Sequence, residues 1–326
     1  MTPRLDLLVL AVADRCDQKC VHCSIWEGPR DGKPSLSRAE RLRVVDEALD
    51  AGAREALLTG GEPLLSPDLW PVAERLAQGG ARLMLATNGM LLEAHAERVA
   101  GLFAEVFVSL DGASPVTHDA LRGVAAFDRL TRGVGALRAA SDRVLVVARS
   151  TLHARNIHEV EGIVEAARGA GFHNVSFLPL DASSGAFGGA PGARRALVPT
   201  AAQVDAFEAA VDRMAASGLL SEGFVLEPAA KLRRLARHLR ASGGHVAFER
   251  PECDAPWWSA VVEADGSVRP CFFHASVGDV RNGLVALRDS EDYRLALAAI
   301  DRPNVTCERC VCPKRRERSW LSRRLA

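Results

Sequence analysis

The sequence predicts an α/β fold: a partial (β/α)6 barrel followed by a small cysteine-rich α+β domain. Three observations carry this expectation. Apolar runs alternate with helical stretches six times over the first 180 residues. Those runs are continuously apolar, as in parallel strands covered on both faces by helices, and six such units fall short of a closed barrel. The eight cysteines fall into two groups, three near the start and five beyond residue 250.

At 326 residues the chain exceeds the ~250 to 300 at which a single core usually stops growing. We therefore expect a barrel over 1–180, a glycine-rich loop and linking helices over 181–249, and an auxiliary domain over 250–326. Lysine plus arginine and aspartate plus glutamate are equal at 41 each, so no global charge points to nucleic acid or a membrane surface. The apolar start is interrupted by Asp6, and no run of ~18 apolar residues follows. It reads as a strand rather than a signal peptide or a span. A cytoplasmic chain is the expectation, and its cysteines are then ligands rather than disulfides.

The strands are expected at 5–12, 55–59, 81–86, 104–110, 143–149 and 174–180, with helices near 36–52, 66–79, 91–101, 115–140 and 156–170. In parallel α/β folds ligands bind at the carboxyl ends of the strands, so the residues there are the candidates. The first strand leads into Cys16-Asp17-Gln18-Lys19-Cys20-Val21-His22-Cys23. The second ends in Thr59-Gly60-Gly61-Glu62-Pro63, where two glycines permit close backbone approach, Glu62 supplies an acceptor and Pro63 fixes the exit. A plain turn between strand and helix would read the same way. The third ends in Asn88-Gly89, a turn signal. In the fourth, Ser109 and Asp111 share one side by the period of two. Arg149 puts a cation at the end of the fifth, and its guanidinium suits a bidentate clamp on a carboxylate as well as it suits an ordinary surface position.

Three thiolates hold three irons of a cubane and leave the fourth open, where four would close it. Zinc is the competing reading, although zinc knuckles usually come as paired C-x2-C units. Cys16, Cys20 and Cys23 match the C-x3-C-x2-C loop of the radical S-adenosylmethionine (radical SAM) superfamily, which the chain resembles. His22 stands where that family usually has an aromatic residue. The resemblance implies the incomplete barrel, a 4Fe–4S cluster on these three cysteines whose open iron chelates SAM, and a flavodoxin- or ferredoxin-type electron donor. It also implies roles for other residues. Gly60, Gly61 and Glu62 match the motif that binds the methionine amino group, Asn88 lies close to SAM, and Ser109 or Asp111 meets the ribose. Leu178, on the strand expected beneath the adenine, is an apolar contact.

From 181 to 199 the chain is small, polar and glycine-rich, a flexible loop that is either a substrate lid or a passive linker. Helices follow near 200–217 and 226–242. The second carries Lys231, Arg233, Arg234, Arg237 and Arg240 on a face expected to be solvated. Asp265-Gly266 signals a hairpin that would bring Cys253 and Cys271 together, and Cys307, Cys310 and Cys312 return as a knuckle. A zinc ribbon would look alike. The arrangement resembles the SPASM/twitch extension of radical SAM enzymes, with Gly266 five residues before Cys271. Five thiols imply one auxiliary 4Fe–4S cluster on Cys253, Cys271, Cys307 and Cys310, with Cys312 the alternative ligand or a spare. A spare Cys312 is either a buried small hydrophobe or a hydrogen-atom donor to a substrate radical. The tail 314–324 is expected to be a solvated basic helix able to dock an acidic donor.

The resemblance implies an enzyme that cleaves SAM reductively and abstracts a hydrogen atom from its substrate. Oxidation or epimerisation of a small molecule, such as a sugar or aminocyclitol, is the leading reading, because the sequence starts directly at the first barrel strand without a leader-binding domain. Peptide modification by a crosslink or epimerisation is the alternative. A non-catalytic cluster scaffold is the third reading, and retention of the SAM-binding set beside the cysteines argues against it.

Overall fold

The computed structural model describes residues 4–28, 33–188 and 192–314. Nine strands form one sheet: β1 (Leu7–Ala13), β2 (Glu55–Gly60), β3 (Arg82–Thr87), β4 (Glu105–Ser109), β5 (Leu145–Leu152), β6 (Asn174–Pro179), β7 (Ser259–Val262), β8 (Ser267–Arg269) and β9 (Gly278–Asp279). The order across the sheet is β6-β5-β4-β3-β2-β1-β7-β8-β9. β1 to β6 are parallel throughout, and β1 and β6 do not pair, so the barrel stays open as expected.

Twelve α-helices accompany the strands among the described residues: α1 (Arg38–Asp50), α2 (Leu69–Gln78), α3 (Leu92–Leu102), α4 (Pro115–Arg122), α5 (Phe127–Ala140), α6 (Val160–Gly169), α7 (Ala201–Ala216), α8 (Ala229–Ser242), α9 (Ala255–Trp258), α10 (Leu284–Asp289), α11 (Glu291–Asp301) and α12 (Val305–Glu308). Capping boxes start two of them, Ser37 with Glu40 for α1 and Thr200 with Gln203 for α7. Leu8, Leu10, Leu58, Leu85, Val106, Val146 and Phe177 from the sheet pack with Val44, Val72, Val99, Leu130 and Ile163 from the helices in one apolar core. No helix among the described residues is long and apolar enough to cross a membrane.

Four expectations change. The stretch 115–140 is two helices, because Asp119 Oδ1 accepts hydrogen bonds from the N–H groups of Ala126 and Phe127 and so starts α5 from the turn before it. β4 stops at Ser109 and β5 continues to Leu152. Asp111 therefore lies beyond its strand, and Arg149 lies within one rather than at its end. The expected boundary at 250 is not a break in the sheet, since β7 pairs parallel to β1 from Leu7↔Ser259 to Leu10↔Val262 and covers the edge that an open barrel leaves exposed. The basic face of α8 is partly engaged: Arg233 pairs with Asp212 at 2.7 Å and Arg240 with Asp205 at 2.5 Å on α7, and Arg237 meets Glu249 at 3.0 Å. Such exposed pairs contribute little stability each. The tail expected to form a basic helix lies, apart from Lys314, outside the described residues.

Candidate cofactor and cluster site

The cysteine loop leaves β1 and is fastened from two sides. Lys19 N donates to Arg122 O at 2.9 Å and Val21 N to Leu121 O at 3.0 Å, so the end of α4 pairs with the middle of the loop. On the other side Gly61 N donates to Ala13 O at 2.9 Å and Glu62 N to Arg15 O at 2.8 Å. This approach requires glycine. Gly60 has a φ of +129°, and a Cβ on Gly61 would lie 2.0 Å from the Arg15 carbonyl oxygen.

One cavity, about 1030 Å³ with its open mouth included, collects Cys16, Cys20, His22 and Cys23 with the carboxyl ends of five strands. Thr59, Gly60 and Gly61 come from β2, Thr87 and Asn88 from the end of β3, Ser109 from β4, Arg149 and Thr151 from β5, and Leu178 from β6. The structure thus brings together all three first-group thiols with His22, Gly60, Gly61, Asn88, Ser109, Arg149 and Leu178. Ser109 and Arg149 are register partners on adjacent strands. The Arg149 guanidinium stacks 4.7 Å over Phe107, and burial lowers its pKa against the opposing charges of Glu227, Cys312 and Glu105.

Two candidates stand behind the cavity wall rather than on it. Glu62 is fully buried, and its carboxylate accepts from Leu64 N at 3.0 Å, Thr87 Oγ1 at 2.7 Å and Asn88 N at 2.7 Å. It ties the ends of β2 and β3 together, and Asn88 passes the constraint on by donating from Nδ2 to Asp17 Oδ1 at 2.6 Å. Asp111 is likewise fully buried; it ion-pairs with Arg122 at 2.5 Å and accepts from Thr151 N at 2.8 Å. Burial alone would raise the Asp111 carboxyl, but the adjacent Arg122 guanidinium, with a hydrogen bond from Thr151 N, holds it below the ordinary range. His22 Nε2 lies 3.8 Å from Asp111, yet burial drives the imidazole pKa down to about 4, so the ring is neutral. The reading of Asp111 as a strand residue beside Ser109 fails because the strand ends before it and a buried arginine claims the carboxylate.

Burial pushes Glu62 up to about 7 from its ordinary 4.5, although three donors favour the anion. A carboxyl with a raised folded-state pKa adds stability that is fully present below the unfolded value and lost as pH rises through the folded one. The wild-type protein should therefore lose about 3 kcal/mol of stability between about pH 4.5 and 7 from this group. Glu62→Gln should flatten that part of the profile. Denaturation of both proteins across pH 5 to 8 checks this, and parallel profiles would refute it.

The second group of thiols rings a separate cavity of about 400 Å³, mouth included, lined by Cys253, Cys271, Cys307 and Cys310 with Phe273 and His274. The β7–β8 hairpin brings Cys271 to Cys253, as expected, and α12 presents Cys307 with Cys310 just after it. The chain returns to close the ring: Lys314 N donates to Cys253 Sγ at 3.4 Å. Cys312 does not line this cavity. Its thiol shares a hydrogen bond with Cys310 that favours the Cys312 thiolate, and it feels the charges of Arg149 and Asp181, both on the first cavity's wall. Among the described residues no three His, Cys, Asp or Glu side chains converge closely enough to hold a single metal ion. Each set of thiols instead surrounds a space, an arrangement that fits a cluster with several metal atoms.

Sequence reasoning missed Gln18, Arg122, Thr151, Asp181, Phe187 and Val311, all of which line the first cavity. Phe187 comes from the glycine-rich loop and is held against the cysteine loop by a hydrogen bond from Ser24 N to Phe187 O at 2.8 Å. Its ring packs 5.3 Å from that of Phe272, next to Cys271, so this part of the loop bridges the two cavities. A lone aromatic in a glycine-rich stretch was the available signal.

A family model described as the radical SAM superfamily matches residues 10–175, and one described as the SPASM iron-sulfur cluster-binding domain matches residues 253–311. The AdoMet-dependent heme synthase of Methanosarcina barkeri is 34% identical over 184 residues, covering 55% of this chain and 52% of that protein. GTP 3',8-cyclase 1 of Pseudomonas aeruginosa is 33% identical over 186 residues, covering 54% and 56%. The chain spans about half the length of these curated relatives. Among solved structures, anSMEcpe with bound AdoMet superposes with a TM-score of 0.67 at 17% identity, over 93% of this chain and 86% of that one. Streptococcus suis SuiB bound to S-adenosylmethionine gives 0.66 at 15% identity, over 95% and 71%. At these identities the likeness is one of fold.

Proposed function

The chain belongs to the radical SAM superfamily, and from that premise we propose that it cleaves S-adenosylmethionine reductively and takes a hydrogen atom from a small-molecule substrate. Its cofactors are 4Fe–4S clusters and SAM, as the radical SAM and SPASM domains require. The observation that carries the proposal is a single cavity in which Cys16, Cys20 and Cys23 face the carboxyl ends of the parallel strands. When bound, the first cluster supplies the electron that releases a 5′-deoxyadenosyl radical from SAM, and an auxiliary cluster supplies an acceptor for an electron leaving the substrate.

The remaining work falls to the chain. In this reading Cys16, Cys20 and Cys23 hold the first cluster, and Cys253, Cys271, Cys307 and Cys310 the auxiliary one. The backbone of Gly60 and Gly61 meets the methionine amino group, with Glu62 acting from behind by fixing Asn88 and Thr87. Arg149 clamps the carboxylate, Ser109 takes a ribose hydroxyl, and Leu178 offers an apolar surface to the adenine. Neutral His22 lines the cavity beside the three thiols, and Phe187 would add an apolar ring that helps exclude water. A small-molecule substrate is favoured because the heme synthase and GTP cyclase relatives are named for small molecules. Anaerobic incubation with SAM, a reductant and candidate substrates in deuterated buffer, read by mass spectrometry, tests the proposal. Substrate-dependent 5′-deoxyadenosine supports it, and none with any small molecule but some with a peptide would overturn the substrate class.

The role of Cys312 bears on the reaction type. Lying outside the ring of four, it is read as a spare thiol, so Cys312→Ser should keep about eight irons per chain and still form 5′-deoxyadenosine. If only the inverted product disappears, the thiol is a hydrogen-atom donor and the enzyme an epimerase. A loss of about four irons would make Cys312 a cluster ligand.

A further inference from the structure

Behind the cysteine loop lies a buried charge pair that the reading above does not use. Arg122, at the end of α4, is 7% exposed, and its partner Asp111 is fully buried. The guanidinium is shared: Nη2 lies 2.5 Å from Asp111 Oδ2, and Nη1 donates to Cys20 Sγ at 3.5 Å. Its Nε is buried without a hydrogen-bond partner in the described residues, and the side chain lines the first cavity. The same residue's carbonyl holds Lys19 N, so the cation cannot drift from the loop without releasing it.

An N–H donor to a cluster thiolate withdraws charge from the iron, and a buried cation stabilises the more negative, reduced state. A buried carboxylate at the same distance does the reverse. We propose that Arg122 is a positioning residue for the first cluster, setting through its bond to Cys20 how readily that cluster accepts an electron, with Asp111 as the counterweight that limits the effect. The inference rests on the assignment of Cys16, Cys20 and Cys23 as cluster ligands. Other charged groups near the loop include Arg15 and Lys19 on it, Asp17, held by Asn88, Glu62, whose charge acts on Cys16, Arg149 in the same cavity, and Arg194, which donates to His22 O at 3.5 Å. Among the hydrogen bonds of the described residues, none of these groups bonds to Cys20 Sγ, as Arg122 does.

The test is a dithionite titration of the full reconstituted chain, followed by electron paramagnetic resonance. It reads the signal that disappears when Cys16, Cys20 and Cys23 are replaced by alanine. Arg122→Gln should shift the midpoint of that signal downward and Asp111→Asn upward, with the double variant returning toward the wild-type value. The auxiliary signal should stay put in all three. Opposite shifts from the two members of one ion pair are what a merely structural role would not produce, since loosening the loop from either side would move the midpoint the same way. Equal midpoints with iron retained, or shifts of the same sign, would overturn the proposal. If Arg122→Gln fails to hold iron, Arg122→Lys carries the test. Lysine keeps the charge but cannot span both partners, so its midpoint should fall between wild type and the value expected of the neutral variant, and an unchanged midpoint again overturns the inference. A wild-type chain with no signal assigned to the three cysteines would overturn the ligand assignment itself, and is told apart by its iron content.

Discussion

Replacing Cys16, Cys20 and Cys23 together with alanine should remove about half of the eight irons expected per chain and abolish SAM cleavage. The three thiols stand on one cavity wall, while Cys253, Cys271, Cys307 and Cys310 ring another, so the two sites should load independently. Burial pushes the Cys16 thiol up to about 12, so iron must displace protons to bind, and loading should release acid. Iron analysis, visible absorbance and 5′-deoxyadenosine release measure the outcome. Retention of about eight irons would show that the first cluster is held elsewhere. Loss of all of them would show that the C-terminal site depends on the first.

Gly61→Ala should be nearly as damaging without touching a thiol. The added Cβ would lie 2.0 Å from the Arg15 carbonyl oxygen, an atom of the rigid backbone that Glu62 N already binds. Accommodating it means prising the β2 exit away from the cysteine loop, a cost at or above the upper end of the about 1–3 kcal/mol typical of overpacking. We expect a melting temperature lower by about 2–4 °C per kcal/mol, together with incomplete loading of the first cluster and weakened SAM binding. Normal iron content and SAM affinity in a stable Gly61→Ala protein would refute the close approach.

The chain spans about half the length of its curated relatives, and the solved neighbours are alike in fold. What this chain itself would offer a substrate is the lining of the first cavity. That lining includes Phe187 and Val311, residues that neither the cysteine motif nor the strand ends point to.

The sequence by itself determined what is written in short range. The six parallel units follow from continuous apolar runs, the hairpin from Asp265-Gly266, and the cluster loop from three thiols within eight residues. Strand-end logic points to Gly60, Gly61, Asn88 and Ser109 as neighbours on one cavity, because parallel strands end on one side whatever their partners. Only the tertiary structure decided which polar groups spend themselves on one another. Glu62 and Asp111 looked like ligand contacts because a carboxylate near a site is an acceptor in any sequence. Folding surrounds the first with Leu64, Thr87 and Asn88 and gives the second to Arg122, whose spacing from the cysteine loop no local pattern reveals. The pairing of β7 with β1, and the position of Cys312 outside the ring of four thiols, were equally hidden. Which strand covers an open edge depends on a pairing between segments some 250 residues apart, and which thiol turns away from a cavity on contacts with residues well outside the cysteine knuckle; neither periodicity nor spacing carries information over such ranges.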